Sequence, residues 1–339
     1  MTLDQKLQES ADARRSFLDI IQQASNWTVL WVLIIFTLST SIGSAVINNT
    51  GADVEWWSGW LQNFSTEMMG AIATFFLFEL IIEARKRRED QLSQLNKEKA
   101  DIIIQMRSKD NATALSAIER LRSNNWLQDG SLINANLEGA NLQGANLSGA
   151  NLKGVRLDGA NLEGADLSDA NLERANLNKA NLKKAKLFKA NLSRTKSEFV
   201  QMVGANLVNA NLEGAYLNGC FLQSARLSSA KLEKAYLSYA LLQGAELTMT
   251  NLKGASLAFA NLEGTNLEEA NLEGVDFTKA NLKKAAMWKA QFDTKTILPD
   301  AGLDTDELGR NIIKESYWTS ETDWVKYGAV VKRLPRLTI

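Results

Sequence analysis

Residues 135–154 read ANLEGANLQGANLSGANLKG, and the same five-residue pattern continues for well over a hundred positions. Five fits neither regular element. An α-helix turns about 100° per residue, so a Leu at every fifth position drifts around the helix. A straight strand alternates faces, so Leu at i, i+5 and i+10 would point in, out and in. Neither element buries all those leucines on one side.

Taking the Leu of each unit as its centre gives 33 central positions from Leu132 to Phe292, of which 28 are Leu. The others are Ser197, Met202, Phe277, Met287 and Phe292. The residue two before the centre is Ala in 25 of the 33 units. One large and one small apolar residue therefore recur together, two apart, on the same face of an extended segment. The phase must be reset before the next unit, and a bend in every repeat does so. Bending at each unit coils the chain into a solenoid that keeps Leu and Ala inside.

Units such as ANLEG, ADLSD, ANLER and ANLKK closely resemble the pentapeptide-repeat family, whose consensus is A(D/N)LXX. The resemblance covers residues 130–297, half the chain. It implies an all-β solenoid, a right-handed quadrilateral β-helix with four units, or about 20 residues, per coil. Eight coils at about 4.8 Å each would measure roughly 40 Å. At RTKSEFVQM, residues 194–202, polar Ser197 falls on a central position, and a local bulge or outward loop is expected there. Cys220 occupies a small inward slot and reads as a buried, inert thiol.

The flanks are of other character. Residues 27–47 carry no charge over 21 positions, enough for a membrane-crossing helix. A second, weaker span is expected at residues 64–82, where Glu67 and Glu79 lie 12 apart and can sit near opposite interfaces. Arg14 and Arg15 precede the first span and ARKRRED (84–90) follows the second, while the loop 48–63 has no Lys or Arg and ends in Trp56, Trp57 and Trp60. Basic residues favour the cytoplasmic side, so both termini are expected there, in a bacterial inner or thylakoid-type membrane. The competing reading of 27–45 as a cleaved leader sits poorly with the polar 26-residue segment before it. The expected order is then a cytoplasmic segment (1–26), a transmembrane hairpin (27–83), a helical linker and N-terminal cap (84–129), the β-helix (130–297), and a C-terminal cap and tail (298–339).

Within the linker, Leu92, Leu95, Ile102 and Met106 approach heptad spacing but surround Lys99, so packing on a neighbouring helix is expected in place of a coiled coil. A second amphipathic helix over 112–127, with Trp126, is placed to cover the open solenoid end. At the far end Tyr317, Trp318 and Trp324 are available for a second cap, and YWTSETD resembles the segment that ends many bacterial members of the family.

The chain has 339 residues, 38 basic and 39 acidic, with no His and a single Cys. Histidine-based acid–base catalysis, His triads and Cys/His metal sites are excluded. No catalytic residue, cofactor or metal is expected, and the chain reads as no enzyme. Two surface features are candidates for contact. The first is a basic belt of Arg174, Lys179, Lys183, Lys184, Lys186, Lys189, Arg194 and Lys196. It could meet anionic lipid or nucleic acid. Glu163, Asp166 and Asp169, each 20 residues before Lys183, Lys186 and Lys189, would pair with it as a solvated collar, the reading preferred here. The second is an outward apolar group: Tyr216, Phe221, Tyr236, Tyr239, Leu241 and Phe259. The pairs 216/236, 221/241 and 239/259 are each 20 residues apart and should stack on adjacent coils around one edge.

These features predict a membrane-anchored, non-enzymatic scaffold presenting a cytoplasmic rod, with lipid met through residues 27–83 and a protein partner or self-association through the rod. An oligomeric channel or transporter component, built on Glu67 and Glu79, is an alternative. Some members of the resembled family protect DNA gyrase by imitating duplex DNA. That mimicry needs an acidic rod, whereas residues 131–295 carry 16 acids and 19 bases, and nucleic acid is not an expected partner.

Overall fold

The computed structural model describes residues 54–299, 302–305, 311–314 and 329. The chain divides into two compact units, Met1–Gln91 and Leu92–Ile339. Helix α1 occupies Val54–Met106, so the outward loop expected over 48–63 is corrected from residue 54 onward. The stretch contains no Pro and two glycines, Gly59 and Gly70, and its second half is rich in good helix formers. In the first unit Phe76, Leu77, Phe78, Leu80 and Ile81 are exposed, and Glu83 pairs with Arg87 at 2.7 Å one turn on. Among the described residues no helix is long and apolar enough to cross a membrane, so the second span at 64–82 lacks support there. The first, at 27–47, lies outside the described residues.

In the second unit, Arg107 and Ser108 donate three residues back to Ile104 and Gln105 as α1 ends. Asp110 then caps helix α2, Asn111–Ser123, accepting from the Thr113 amide at 2.9 Å. Helix α2 stops short of the expected 127, because Asn125 turns left-handed at φ 59°. Ile102 and Met106 of α1 and Ala114, Ala117, Ile118 and Leu121 of α2 are buried in the same core as the first repeats. Lys99, which looked out of place among apolar neighbours, pairs with Asp129 and lies 5.1 Å from the Trp126 ring centre.

The cap also closes the first coil's backbone edge. Asn141 and Asn151 donate their amides to Ser108 and Leu127 carbonyls, at 2.9 and 2.8 Å. Asn111 donates its side-chain amide to the carbonyls of Asn141 and Gln143. An open solenoid end is a strand template, and this one is paired.

From Asn136 onward every fifth residue forms a parallel bridge to the residue 20 later. The coil therefore has four units, and residues 20 apart stand in columns. Leu137 donates up to Arg156, Arg156 donates back to Ala135, and Ala140 closes the turn onto Leu137, at 2.8, 2.9 and 3.1 Å. The Leu and Ala columns are almost completely buried throughout. The last residue of each unit adopts positive φ, at Gly139 (64°) as at Lys184 (56°). That left-handed residue is the reset that a period of five requires.

Two expectations about the repeat are corrected. No bulge or loop interrupts 194–202: Lys196 bridges both Asn176 and Tyr216 in normal register. Ser197 stays buried, donating to Thr195 Oγ1 at 3.1 Å, while Thr195 donates to the Leu192 carbonyl at 2.9 Å. The hydroxyls satisfy one another inside, and Thr195 and Val200 add bulk to the small column where Ser197 removes it from the large one. The second correction is at the far end. Asp276 bridges Ile297, 21 residues on, so one residue is inserted after Phe292. Phe292 is only partly buried, and Thr296 and Leu298 take the inward slots. Asp293 holds the insertion, accepting from the amides of Gly274 and Lys295 at 2.7 and 3.1 Å. Beyond it, β1 (Gly302–Thr305) pairs antiparallel with β2 (Asn311–Lys314). Tyr317, Trp318 and Trp324 lie outside the described residues, but Ala329 is buried in the core cluster.

Candidate functional site

The repeat decorates its outward bridge positions with Asn, for a local reason. Asn161 accepts from the Glu163 amide two residues on, at 3.2 Å, and donates to Asn141 one coil back, also at 3.2 Å. Asn181 repeats the arrangement on Asn161. A second ladder rises through Asn151, Asn171, Asn191 and Asn211. Each Asn thus caps its own turn and ties adjacent coils. Sequence reasoning passed over these ladders; the period of 20 in Asn was their signal.

At one corner the pattern is abandoned. The column Asn141, Asn161, Asn181 continues as Gln201, Phe221 and Leu241 before returning to Asn261 and Asn281. The neighbouring column carries Tyr216 bridged to Tyr236, with rings stacked at 4.9 Å and 6° apart. Between the two columns, at the corner itself, Tyr239 stacks on Phe259 at 4.9 Å and 8°. The expected pairs are therefore real. Tyr216, Tyr236, Tyr239 and Phe259 are 43–61% exposed, while Phe221 and Leu241 are half-buried. Phe199, a member the sequence reading missed, stands in the corner column two coils before Tyr239, 55% exposed. Its ring lies over Gly219, where an added Cβ would come within 2.7 Å. A larger residue there would have to displace the Phe199 ring.

Phe199, Tyr239 and Phe259 hold φ of 53°, 61° and 60°, as Lys, Arg, Ser and Met do at the equivalent place in other units. Phe221 and Leu241 forgo the Asn turn cap. An exposed apolar patch of this kind is a candidate contact surface. Beside it, a cleft of about 550 Å³ is lined by Glu138, Asp158, Lys179, Glu198 and Phe199, among others.

The basic belt is less coherent. Arg174, Lys179, Lys184, Lys189 and Arg194 occupy successive left-handed corners, φ 56–59°, and so point to all sides of the coil. Of the three collar pairs expected, only Lys186–Asp166 forms among the described residues, at 3.6 Å. Burial opposes ionisation of Asp166, but hydrogen bonds from Ser168 and the Lys186 charge outweigh it and hold its pKa below the ordinary carboxylate value. Glu163 instead accepts from Asn181 at 3.2 Å, Arg174 contacts Glu173 at 3.7 Å, and Lys189 lies 5.1 Å from the Phe188 ring centre. Lys183 and Lys196 form no ion pair among the described residues. Cys220 is fully buried, and burial pushes its thiol up, out of reach of reaction at neutral pH. Among the described residues no group of acidic or thiol side chains converges to hold a metal ion.

Pentapeptide repeats match in eight copies, over residues 131–169, 156–194, 205–244, 230–268 and 260–293. The chain belongs to the pentapeptide-repeat family. The four-unit coil is that family's right-handed quadrilateral β-helix. Among solved structures, the chain is similar to a pentapeptide repeat protein (Rfr23) from the cyanobacterium Cyanothece 51142, at 41% identity over 27% of this chain, with a TM-score of 0.27. The match spans 62% of that protein. HetL, involved in heterocyst differentiation regulation in Nostoc sp. strain PCC 7120, matches at 27% identity over 55% of this chain and 97% of its own, with a TM-score of 0.18. QnrB1, a plasmid-mediated fluoroquinolone resistance protein, matches at 16% identity over 48% of this chain and 85% of its own, with a TM-score of 0.33. No curated protein matches the chain.

Proposed function

We propose that this chain is a membrane-tethered, non-enzymatic interaction module whose pentapeptide-repeat coil presents the aromatic corner to a protein. The observation that carries the reading is the corner itself: Tyr216 stacked on Tyr236 and Tyr239 stacked on Phe259, all exposed, beside Phe221 and Leu241 in a column that elsewhere carries Asn. An exposed apolar group gathered at one place is the kind of surface that proteins keep for contact. Pentapeptide-repeat proteins are in general structural or interaction proteins, which fits. Tethering rests on the uncharged stretch 27–47 and on the exposed apolar run Phe76–Ile81, followed by Arg85, Lys86, Arg87 and Arg88. Both termini then lie on the cytoplasmic side.

Two experiments test this. The pair Phe221→Ser and Tyr239→Ser should leave the melting temperature within a few degrees while abolishing associations made by the chain. A large fall in melting temperature would reassign the corner as a stabilising ladder. Orientation is checked with cysteines at Asn49 and Gln128 in a Cys220→Ala background. An impermeant thiol reagent applied to intact cells should label position 49 and spare position 128.

A further inference from the structure

The chain repeats itself on a second, longer period. KANLKKA stands at residues 179–185 and again at 279–285, and ANLEG precedes each by one coil, at 160–164 and 260–264. A hundred residues is five coils, so both copies fall on one face, whose central column runs through Asn161, Asn181, Phe221, Leu241, Asn261 and Asn281. Two residues after each of its members a parallel column carries Glu163, Lys183, Val203, Gln223, Gln243, Glu263 and Lys283. Its charges therefore run acid, base, three uncharged layers, acid, base. Lys183, Glu263 and Lys283 form no ion pair among the described residues. The three middle layers carry Gln201, Phe221 and Leu241, and their turns end in the small residues Gly204, Ser224 and Gly244. An uncharged, partly apolar centre with a charged rim is the anatomy of a protein interface.

A copy turned end for end about a two-fold axis at the Phe221 layer lays each column of this face against itself in reverse. Lys183, two coils before Gln223, then meets Glu263, two coils after it. Glu163, three coils before, meets Lys283, three coils after. Each pair forms twice by symmetry. Phe221 meets Phe221, and along the corner Phe199 meets Tyr239 across Gly219. Lys184 and Lys284 fall opposite Gly264 and Gly164. Gln223 lies on the axis. Its Oε1 accepts no hydrogen bond within the chain, and two side-chain amides facing across an axis can donate and accept reciprocally.

Neighbouring registers and faces lack this match. Moving the axis half a coil toward the N-terminus sets Glu163 against Glu263, and half a coil toward the C-terminus sets Lys183 against Lys283. A parallel copy on the same face sets Lys183 against Lys179. On the next two faces the axis sets Arg226 on Arg226 and Glu233 on Glu233. On the Tyr216 face the opposed pair is Arg156 with Asp276, and that arginine already holds Glu138 at 2.7 Å.

We infer that this face docks a second copy of the chain, antiparallel about Phe221 and held in register by Lys183–Glu263 and Glu163–Lys283 pairs between copies. The inference rests on reading Phe221, Tyr239 and their neighbours as a contact surface. Glu163 to Lys283 is six coil steps, about 29 Å. A single face of that length buries an area at the small end for specific complexes, so the dimer should assemble at micromolar concentration.

The test uses the purified full-length chain, in detergent, by sedimentation velocity up to tens of micromolar. The wild type should pass from monomer to dimer. Lys183→Glu sets a carboxylate against Glu263 at two places and should weaken the dimer about tenfold. Lys183→Glu combined with Glu263→Lys should restore it. Register is read independently with a short bismaleimide in the Cys220→Ala background. Gln223→Cys should link to its own copy, and a mixture of Lys183→Cys and Glu263→Cys chains should link 183 to 263. Products joining 183–183 or 263–263 in its place overturn the arrangement. A wild-type monomer throughout the range, or a folded double swap that fails to rescue, overturns the dimer. If that monomer still loses other associations on Phe221→Ser with Tyr239→Ser, the dimer falls and the contact surface stands.

Discussion

Leu182 and Lys183 are neighbours with opposite fates. Leu182 is fully buried in a mid-coil layer while Lys183 faces out. Leu182→Ala should cost about 2–5 kcal/mol, since stacked coils leave little freedom to collapse into the cavity. Lys183→Ala should change stability by less than about 0.5 kcal/mol. Chemical denaturation of the two variants checks the difference, and equal losses would mean that the inward column is misassigned. The left-handed corners give the opposite sign. Lys184 sits at φ 56°, at a position where the earlier repeats carry Gly, so Lys184→Gly should raise stability by up to about 1 kcal/mol. Inward Leu and Ala were legible from the period alone, because burial demands the same residue in every coil. The fate of Ser197 was not. A polar residue in an apolar column suggests a loop until its hydrogen-bond partners are counted, and Thr195 supplies one from the next small slot.

Asp110 is the single residue that starts α2, and its titration reports on the N-terminal cap. Hydrogen bonds from the Thr113 hydroxyl and amide hold its carboxyl below the ordinary value of 3.8. A depressed pKa in the folded state means that the stabilisation is present above the ordinary value and is lost as pH falls below it. Asp110→Asn keeps a capping oxygen without the charge, so the variant should lose less stability than wild type between about pH 4 and pH 2. Thermal melts across that range provide the measurement, and identical profiles would remove Asp110 from the acid response. The outward columns respond differently. Replacing both by Asn, Phe221→Asn with Leu241→Asn, leaves Gln201 as the one departure between Asn181 and Asn261, so melting temperature should hold or rise while association is lost. Sequence reading found the aromatic pairs because 20-residue spacing is arithmetic. It missed Phe199, whose partner in the corner column lies 40 residues on with Gly219 between. It also placed helix boundaries poorly at 48–63 and 124–127, where a helix's extent depends on packing and capping more than on composition.

Across the whole coil, stability should behave as a sum over layers and the interfaces between them. The pentapeptide period was fully legible. The inserted residue after Phe292 was not, because Phe292 and Ile297 keep apolar residues in the old phase while Asp293 shifts the chain to a new one. This distinction between inward phase and outward column yields a prediction that separates the two. Deleting residues 156–175 removes one full coil, so every surviving column still meets its own continuation. That variant should unfold cooperatively with a modestly lower melting temperature, and Asn136 should bridge what was Asn176. Deleting the fifteen residues 156–170 keeps every Leu and Ala inside, since fifteen is three units, but moves all later columns by one face. Across that junction Asn136, Asn141 and Asn146 would meet Asn171, Asn176 and Asn181, and Asn151 would meet Lys186. The twenty-residue deletion likewise sets three Asn on Asn and one Asn on Lys186. Because core and Asn pairing are both preserved, the fifteen-residue variant should fold and lose no more stability than the twenty-residue one. Differential scanning calorimetry of the two deletions decides it. A markedly larger loss for the fifteen-residue deletion would show that a column must meet its own continuation for the coils to stack, beyond what its Leu, Ala and Asn positions supply.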